Sequence, residues 1–357
     1  VVNVLLTCAG RRHYLVQYFR EALAGRGAVC AADCYPAAPA MLAADAAFTL
    51  PPVGDPRYHD LLLDVCRQSK VGLLIPLNDL ELPAIAAWRG DLLGVGTIAM
   101  IASPEAIDIC ADKWRSYEFL ALHGLRTPRT YLSLADAVQA LRRGDLHYPV
   151  VVKPRWGSAS LWLELCRDDE ELELAYRLVK RRAARRLEEA GGGADAERCV
   201  LIQQWLRGYE YGLDVVNDLA GRHVCTFTRR KLVMRAGETD RAVTVEDEEL
   251  SDLGRKLGEA FAHAGNLDCD VFLEERGPYV VDLNPRFGGG YPFSHVAGAD
   301  LPAALVAWAE GRAPDPRWFT VTPGVMSAKC DQLVVRKLRA PAAGGAERAD
   351  AVVEERR

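Results

Sequence analysis

The chain has 357 residues, 50% hydrophobic and 26% charged, with a formal net charge of −5 at pH 7. That is enough apolar material for two or three domains with real cores, and the acidic balance excludes a general attraction to nucleic acid or anionic membrane, both of which need a basic excess. The start, VVNVLL, is about one strand long with no charged leader, and the ten cysteines contain no CxxC pair and mostly sit in apolar runs. A cytoplasmic protein with reduced cysteines, no membrane association and no nucleic-acid partner is therefore the expectation.

From the start, VNVLLTCAGRRHYLVQYFREAL reads as strand, glycine turn and helix, with Leu15, Val16, Phe19 and Leu23 in helical spacing. AVCAAD, AAFTLPP and VGLLIPL supply three more short strands, with a helix over Tyr58 to Ser69 before the last. Strands alternating with helices predict a parallel α/β sheet. The Cys8 to Arg12 loop, with Asp33 ending the second strand, has the position of a dinucleotide site, but only Gly10 of a GxGxxG is present. Arg11, Arg12, Asp79 and Glu81 fall at strand ends of such a sheet, either as solvated loop charges or as groups that hold an acceptor substrate.

Lys113 opens a helix from Trp114 to His123, closed by Gly124 and the Thr127-Pro128 breaker. In YPVVVKPRWGSAS a β-run delivers Lys153 at its end and Pro154 stops it. Gly157, Ser158 and Ser160 then form a small-residue loop whose N–H groups can curl round phosphate, and two lysines offset much of a nucleotide's charge. Glu170 to Ala190 is a long helix of mixed charge, followed by GGGAD as a flexible link. The interleaved acids argue against a nucleic-acid arm there.

CVLIQQWLRGYEYGLDVV reads as strand, link, strand, and a turn follows at Asn217 to Gly221. The next extended segment carries Arg229, Arg230, Lys231 and Arg235. Such a cluster is a solvated edge, a nucleic-acid contact, or a grip on a γ-phosphate and an anionic substrate. Beside a nucleotide site the third reading is favoured, with Lys231 and Arg235 as its carriers because the strand alternates. After an amphipathic helix from Glu248 to Gly265, LDCDVFL and VVDLNPRFGGG form a hairpin about the ERGP turn, and Asp270 and Asp282 point to one face beside Asn284. Neighbouring carboxylates repel unless a cation lies between them, and Mg²⁺ suits this set of hard oxygens with phosphate completing its shell. Arg286 is expected to reach the same phosphates, and the triple glycine to impose a turn. Asp300 to Glu310 reads as a helix, VTPGVMSAKCDQLVV as a closing strand pair, and the Ala, Gly and charge beyond about Ala340 as disorder.

The lysines, the small-residue flap, the strand-link-strand, the acid pair and Asn284-Pro285-Arg286, in that order, resemble the ATP-grasp superfamily over residues 1 to about 335. NPRFGGGYP and RAGETDRAVTV look most like its carbamoyl-phosphate-synthetase-like branch. The fold implied is α/β: a Rossmann-like pre-ATP-grasp domain (1–111), then a two-subdomain α+β ATP-grasp fold with a lid (112–198) and a core holding the metal site (199–335), before a tail (336–357). By the same resemblance Lys113, Lys153, Gly157, Ser158 and Ser160 meet ATP phosphates, Gln203, Gln204, Trp205 and Leu206 form the hinge behind the adenine, and Glu210 takes the ribose. A glutamate is usual where Gln203 stands. Asp270, Asp282 and Asn284 are implied to hold Mg²⁺, with Mn²⁺ as a substitute, Arg286, Lys231 and Arg235 to act in catalysis, and Glu238 and Thr239 to face substrate. The implied activity is an ATP-dependent carboxylate–amine ligase that works through an acyl phosphate on an amino acid or other small carboxylate, as a homodimer through the first domain. Two other functions stay open: a non-catalytic ATP-binding regulatory subunit, and an NAD-dependent oxidoreductase built on the N-terminal domain.

Overall fold

In the computed structural model the described residues are 2–157, 161–189 and 193–336. Asn3–Thr7 (β1), Val29–Asp33 (β2), Ala46–Thr49 (β3), Val71–Pro76 (β4) and Ile98–Ala99 (β5) form a parallel sheet in the order β3-β2-β1-β4-β5. β1, β2 and β4 are buried almost throughout, as continuous apolar parallel strands are when helices cover both faces. Alternate residues of β1 serve different cores. Val4 and Leu6 pack with Leu15, Val16 and Phe19 of the helix His13–Leu23, whereas Leu5 packs with Leu62 and Cys66 of the helix Tyr58–Gln68. The 8–12 and 77–81 loops leave the carboxyl ends of β1 and β4, where open α/β sheets bind ligands.

Thr130–Tyr131 (β6), Val150–Pro154 (β7), Glu164–Cys166 (β8) and Val200–Gln204 (β9) make a small antiparallel sheet, β6-β9-β7-β8. The helix Asp169–Glu189 backs it through Leu172, Val179 and Ala183, in a core separate from the rest. Because β9 pairs with β7, this lid sheet runs on to Gln204, past the boundary expected at 198. Of the expected flexible link, residues 190–192 lie outside the described residues and Gly193–Arg198 is a 3-10 helix.

The third sheet is antiparallel, with Tyr209–Asn217 (β10), His223–Arg235 (β11), Glu238–Val245 (β12), Gly265–Glu274 (β13), Gly277–Asn284 (β14) and Met326–Ala328 (β15) in the order β14-β13-β10-β11-β12-β15. The helix Glu248–Phe261 covers it through Leu250, Leu253, Leu257 and Phe261. These side chains share one contiguous core with Leu213, Val215 and Val280 of the sheet and with Leu5 and Leu74 of the first sheet. First and third sheets are thus locked together by apolar packing, while the lid stands over them on its own core. The expected closing strand pair is one short strand, β15, which adds to β12; Pro323 and Gly324 interrupt the segment before it, and the residues after it are largely exposed. The expected disordered tail falls, from residue 337 onward, outside the described residues. Cys34 and Cys330 are exposed, unlike the core cysteines the apolar runs predict. No described helix is long and apolar enough to cross a membrane.

Candidate active site

The β13–β14 hairpin sets the chemistry. Asp270 stands directly opposite Asp282, and Asp268 opposite Asn284, so all four side chains share one face. Asn284 Nδ2 donates to Asp282 Oδ2 (3.2 Å), Lys113 Nζ lies 2.9 Å from Asp282 Oδ1, and Lys231 Nζ bridges Asp270 Oδ1 (2.6 Å) and Glu210 Oε1 (2.7 Å). Burial works to raise the Asp282 carboxyl, but the charge and hydrogen bond of Lys113 bring it below the ordinary range, which keeps it anionic at neutral pH. Among the described residues no three His, Cys, Asp or Glu side chains gather as a metal group. Asp270, Asp282 and the Asn284 amide oxygen are hard oxygens of the kind that Mg²⁺ takes together with phosphate oxygens.

Asp270 and Asp282 line two cavities, one on either side. The first, about 260 Å³, lies between the lid sheet and the third sheet. Asp112 caps the helix Lys113–Leu122 by accepting from the Trp114 N–H, and Arg155 grips the same carboxylate with both Nε and Nη2, tying the end of β7 to the helix start. Lys113 and Lys153 are thereby brought to one wall. Lys113 Nζ also donates to the Gly157 carbonyl (2.8 Å). Lys153 Nζ donates to Gln203 Oε1 (2.8 Å), whose amide is oriented by its own bond to Thr130 Oγ1 (2.9 Å). Gln204, Trp205, Leu206 and Glu210 line the same cavity, whose other walls are largely apolar: Trp156, Leu161, Leu163, Phe272 and Val281. Ser158 and Ser160 lie outside the described residues.

Gln203 accepts a hydrogen bond but carries no charge, so Lys153 is buried without a counter-ion on its own sheet. Burial, then the Lys113 ammonium, push Lys153 down to about 8, against the pull of Asp282. A lysine so depressed loses its proton as pH rises through that value, well before an ordinary lysine. Binding of a polyphosphate at this wall, with MgADP as the probe, should therefore weaken as pH rises through about 8, a break that Lys153→Arg removes, as read by titration calorimetry across pH 7 to about 9.5.

The second cavity, about 200 Å³, is polar and draws on the first and third sheets: Arg12, Leu77, Asn78 and Asp79 from the first sheet's loops, Met234, Glu238 and Thr239 from β11–β12, and Asp268, Asp270, Asp282 and Asn284 of the β13–β14 hairpin with Gly289 and Gly290. Arg286 enters it with its fork closed: Nε and Nη2 donate to the two oxygens of Asp79 (2.7 and 2.8 Å), Nη2 also to Asn284 Oδ1 (3.2 Å), and Nη1 to the Phe287 carbonyl (3.1 Å).

A profile of the ATP-grasp domain family matches residues 110–290, just over half the chain, and one described as PylC-like, N-terminal domain, matches residues 4–101. The chain belongs to the ATP-grasp family. A carbamoyl phosphate synthase large chain from Methanothrix thermoacetophila is 25% identical over 262 residues, covering 70% of this chain and 22% of that one. Another, from Rubrobacter xylanophilus, is 30% identical over 230 residues, covering 61% and 20%. The ATP-grasp chain thus spans about a fifth of the length of these curated relatives. Among solved structures it is similar to an L-amino acid ligase from Bacillus licheniformis (TM-score 0.67, 19% identity, 91% of this chain and 79% of that one). It is also similar to a biotin carboxylase–β,γ-ATP complex from Campylobacter jejuni (TM-score 0.70, 14% identity, 90% and 74%). At these identities the likeness to the solved structures is one of fold.

Several sequence-predicted residues of this ATP-grasp chain stand elsewhere than expected. Arg235 does not enter the site: it is half exposed and pairs with Asp240 and Asp331. β11 shifts register on both sides of Val233, and such a bulge reverses which residues face inward. Before the shift the inward residues are Arg229 and Lys231; after it Met234, not Arg235, lines the second cavity. Arg229, passed over in the sequence, is 1% exposed and bridges Asp214 and Asp268. The signal for Asp268 was present in LDCD, since acids two apart on a strand share a face. Arg286 does not point free donors at a phosphate, because Asp79 takes its fork. Glu81 is fully buried and accepts from the Leu77 and Asn78 N–H groups, shaping the turn that presents Asp79. Asp33 accepts from the Gly10 and Tyr35 N–H groups, one on each carboxylate oxygen, and so holds the β1 and β2 loops together.

The triple glycine does more than turn. A Cβ on Gly288 would fall 2.0 Å from Asp268 Cγ, and one on Gly290 would fall 2.1 Å from Arg229 Nη2 and 2.5 Å from its Cζ. The whole guanidinium, not one movable atom, fills that space. Gly290→Ala should cost about 1–3 kcal/mol by overpacking, read as a lower urea midpoint.

Proposed function

We propose that this ATP-grasp protein is an ATP-dependent ligase that joins a small carboxylate, such as an amino acid, to an amine through an acyl phosphate. In this reading the first cavity takes ATP. Lys113 and Lys153 meet its phosphates, Gln203, Gln204, Trp205 and Leu206 border the adenine, and Glu210 takes the ribose. Asp270, Asp282 and Asn284 would hold Mg²⁺, which supplies charge screening between the γ-phosphate and an incoming carboxylate. The second cavity takes that carboxylate, so the two anions meet across the acid pair. Lys231, fixed between Glu210 and Asp270, stays within reach of the transferred group. Arg286, held by Asp79, positions Asn284 through its 3.2 Å hydrogen bond. Residues 1–111, 112–198 and 199–335 are proposed as the pre-ATP-grasp, lid and core divisions, with the lid strand β9 added to the second, and a homodimer through the first belongs to the same reading.

The observation that carries it is the direct cross-strand pairing of Asp270 with Asp282 on a wall common to both cavities. The test is ADP release from MgATP in a screen of amino acids and small carboxylates taken in pairs with amines. Release that depends on both partners, with amide formed, is the expected result. One observation favours a second reading, a non-catalytic ATP-binding subunit: the Arg286 fork is closed on Asp79. MgATP binding with no pair stimulating ADP release would decide for it.

A further inference from the structure

The lining of the second cavity carries a charge that the steps above leave unused. Among the described cations lining this cavity, Arg229 is held by Asp214 and Asp268, Lys231 by Glu210 and Asp270, and Arg286 by Asp79. Arg12 alone makes no side-chain hydrogen bond or ion pair with a described residue. It is half buried in the turn between β1 and the helix His13–Leu23, and its N–H donates to the Ala9 carbonyl (2.9 Å), so a rigid sheet end fixes where it stands.

Glu238, which lines the same cavity, is paired with Lys329 at 2.9 Å. Burial works to raise the Glu238 carboxyl, but Lys329, and after it Arg12 and Arg11, bring it below the ordinary range. Arg12 therefore lies near enough to act on Glu238, though the two make no ion pair. Lys329 takes the Glu238 carboxylate directly, whereas Arg12 acts on it without a hydrogen bond, so the Arg12 guanidinium keeps its donors for an incoming anion. A carboxylate would find a planar fork with free donors.

Resting on the ligase reading above, we propose that the carboxylate substrate bears a second anionic group, which Arg12 binds within this cavity: a short dicarboxylate, with or without an amino substituent. One carboxyl is then activated beside the acid pair while the other fixes the substrate's direction. A cavity of about 200 Å³ is below the range of drug-sized sites, roughly 300–1,000 Å³, and suits such a molecule.

The test is calorimetry on the full chain with MgADP bound, using matched probes: succinate against butyrate, glutarate against valerate, aspartate against 2-aminobutyrate and glutamate against norvaline. At least one diacid should bind about ten- to a hundredfold tighter than its monoacid partner, the worth of one charge-assisted fork. Arg12→Gln should bring that ratio to about one and Arg12→Lys should keep part of it. Its MgADP affinity shows that the variant is folded, since Arg12 lines only the second cavity. A wild-type chain that binds MgADP but prefers no diacid, or an Arg12→Gln chain that keeps the preference, overturns the inference. Failure of the wild-type chain to bind MgADP before any acid is added would instead remove the ligase reading, and this inference with it.

Discussion

On the proposed ligase reading, Asp282→Asn should leave a folded protein whose substrate-dependent phosphate release from ATP falls on the order of 10³-fold, because the divalent ion it would hold carries several kcal/mol of transition-state charge. The change is nearly isosteric. The hairpin is held by its backbone ladder, and the amide can still accept from Lys113, so the structural cost is that of one partly exposed ion pair, 17% and 24% exposed at its two side chains. Function is lost for electrostatic reasons. Asp270 would be the one carboxylate left for the ion, beside Asn284, and Lys113 and Lys153 lose a nearby negative charge. Asp282 is the group that holds Lys153 up against burial, so the alkaline break in MgADP affinity should also move below its wild-type position near pH 8. Phosphate release measured beside a circular dichroism melt separates the two effects. Undiminished turnover in a folded variant would show that the acid pair does not hold the ion.

Arg229→Met should cost about 3–5 kcal/mol of stability, the loss seen when one partner of a buried ion pair is removed and the other stays. Arg229 and Asp214 are 1% and 0% exposed at their side chains, and Asp268 is 14% exposed. Ser294 Oγ (2.6 Å) and Asn266 Nδ2 (3.3 Å) still donate to Asp214 in the variant, but no cation does. Glycine on both sides, at 212 and 290, leaves room only for the flat guanidinium, since a Cβ at either would come within 3 Å of it. The loss should depend on pH in a definite direction. Burial and the neighbouring Asp270 already hold the Asp268 carboxyl above the ordinary range, at about 6. A group raised in the folded state takes up its proton as pH falls through that value and is then no longer a stranded charge. Urea unfolding at pH 5 should accordingly show a smaller deficit for Arg229→Met than at pH 7. An equal deficit at both would mean that lost packing, not unpaired charge, is what the variant suffers.

What the sequence by itself determined is local. Alternation of period two and a short ERGP turn set Asp270 against Asp282, because a hairpin's register follows from its turn and from which face is apolar. The strand that ends at Lys153-Pro154, the helix opening at Lys113 and the strand–helix alternation of the first hundred residues are legible for the same reason: each is decided within one window of chain. Tertiary structure alone decided which cations of β11 face the site, because the register shift beside Val233 has no residue-level signature in a run where Leu232, Val233 and Met234 all suit a strand. It alone decided that Arg286 closes on Asp79, 207 residues away, and that Gly288 and Gly290 are glycine to admit Asp268 and Arg229. It alone left Arg12 with no side-chain hydrogen bond or ion pair to a described residue. Ion pairs and close approaches between distant segments depend on where packed sheets bring backbones together, and that placement is a property of the shared core between the first and third sheets, which no stretch of chain contains.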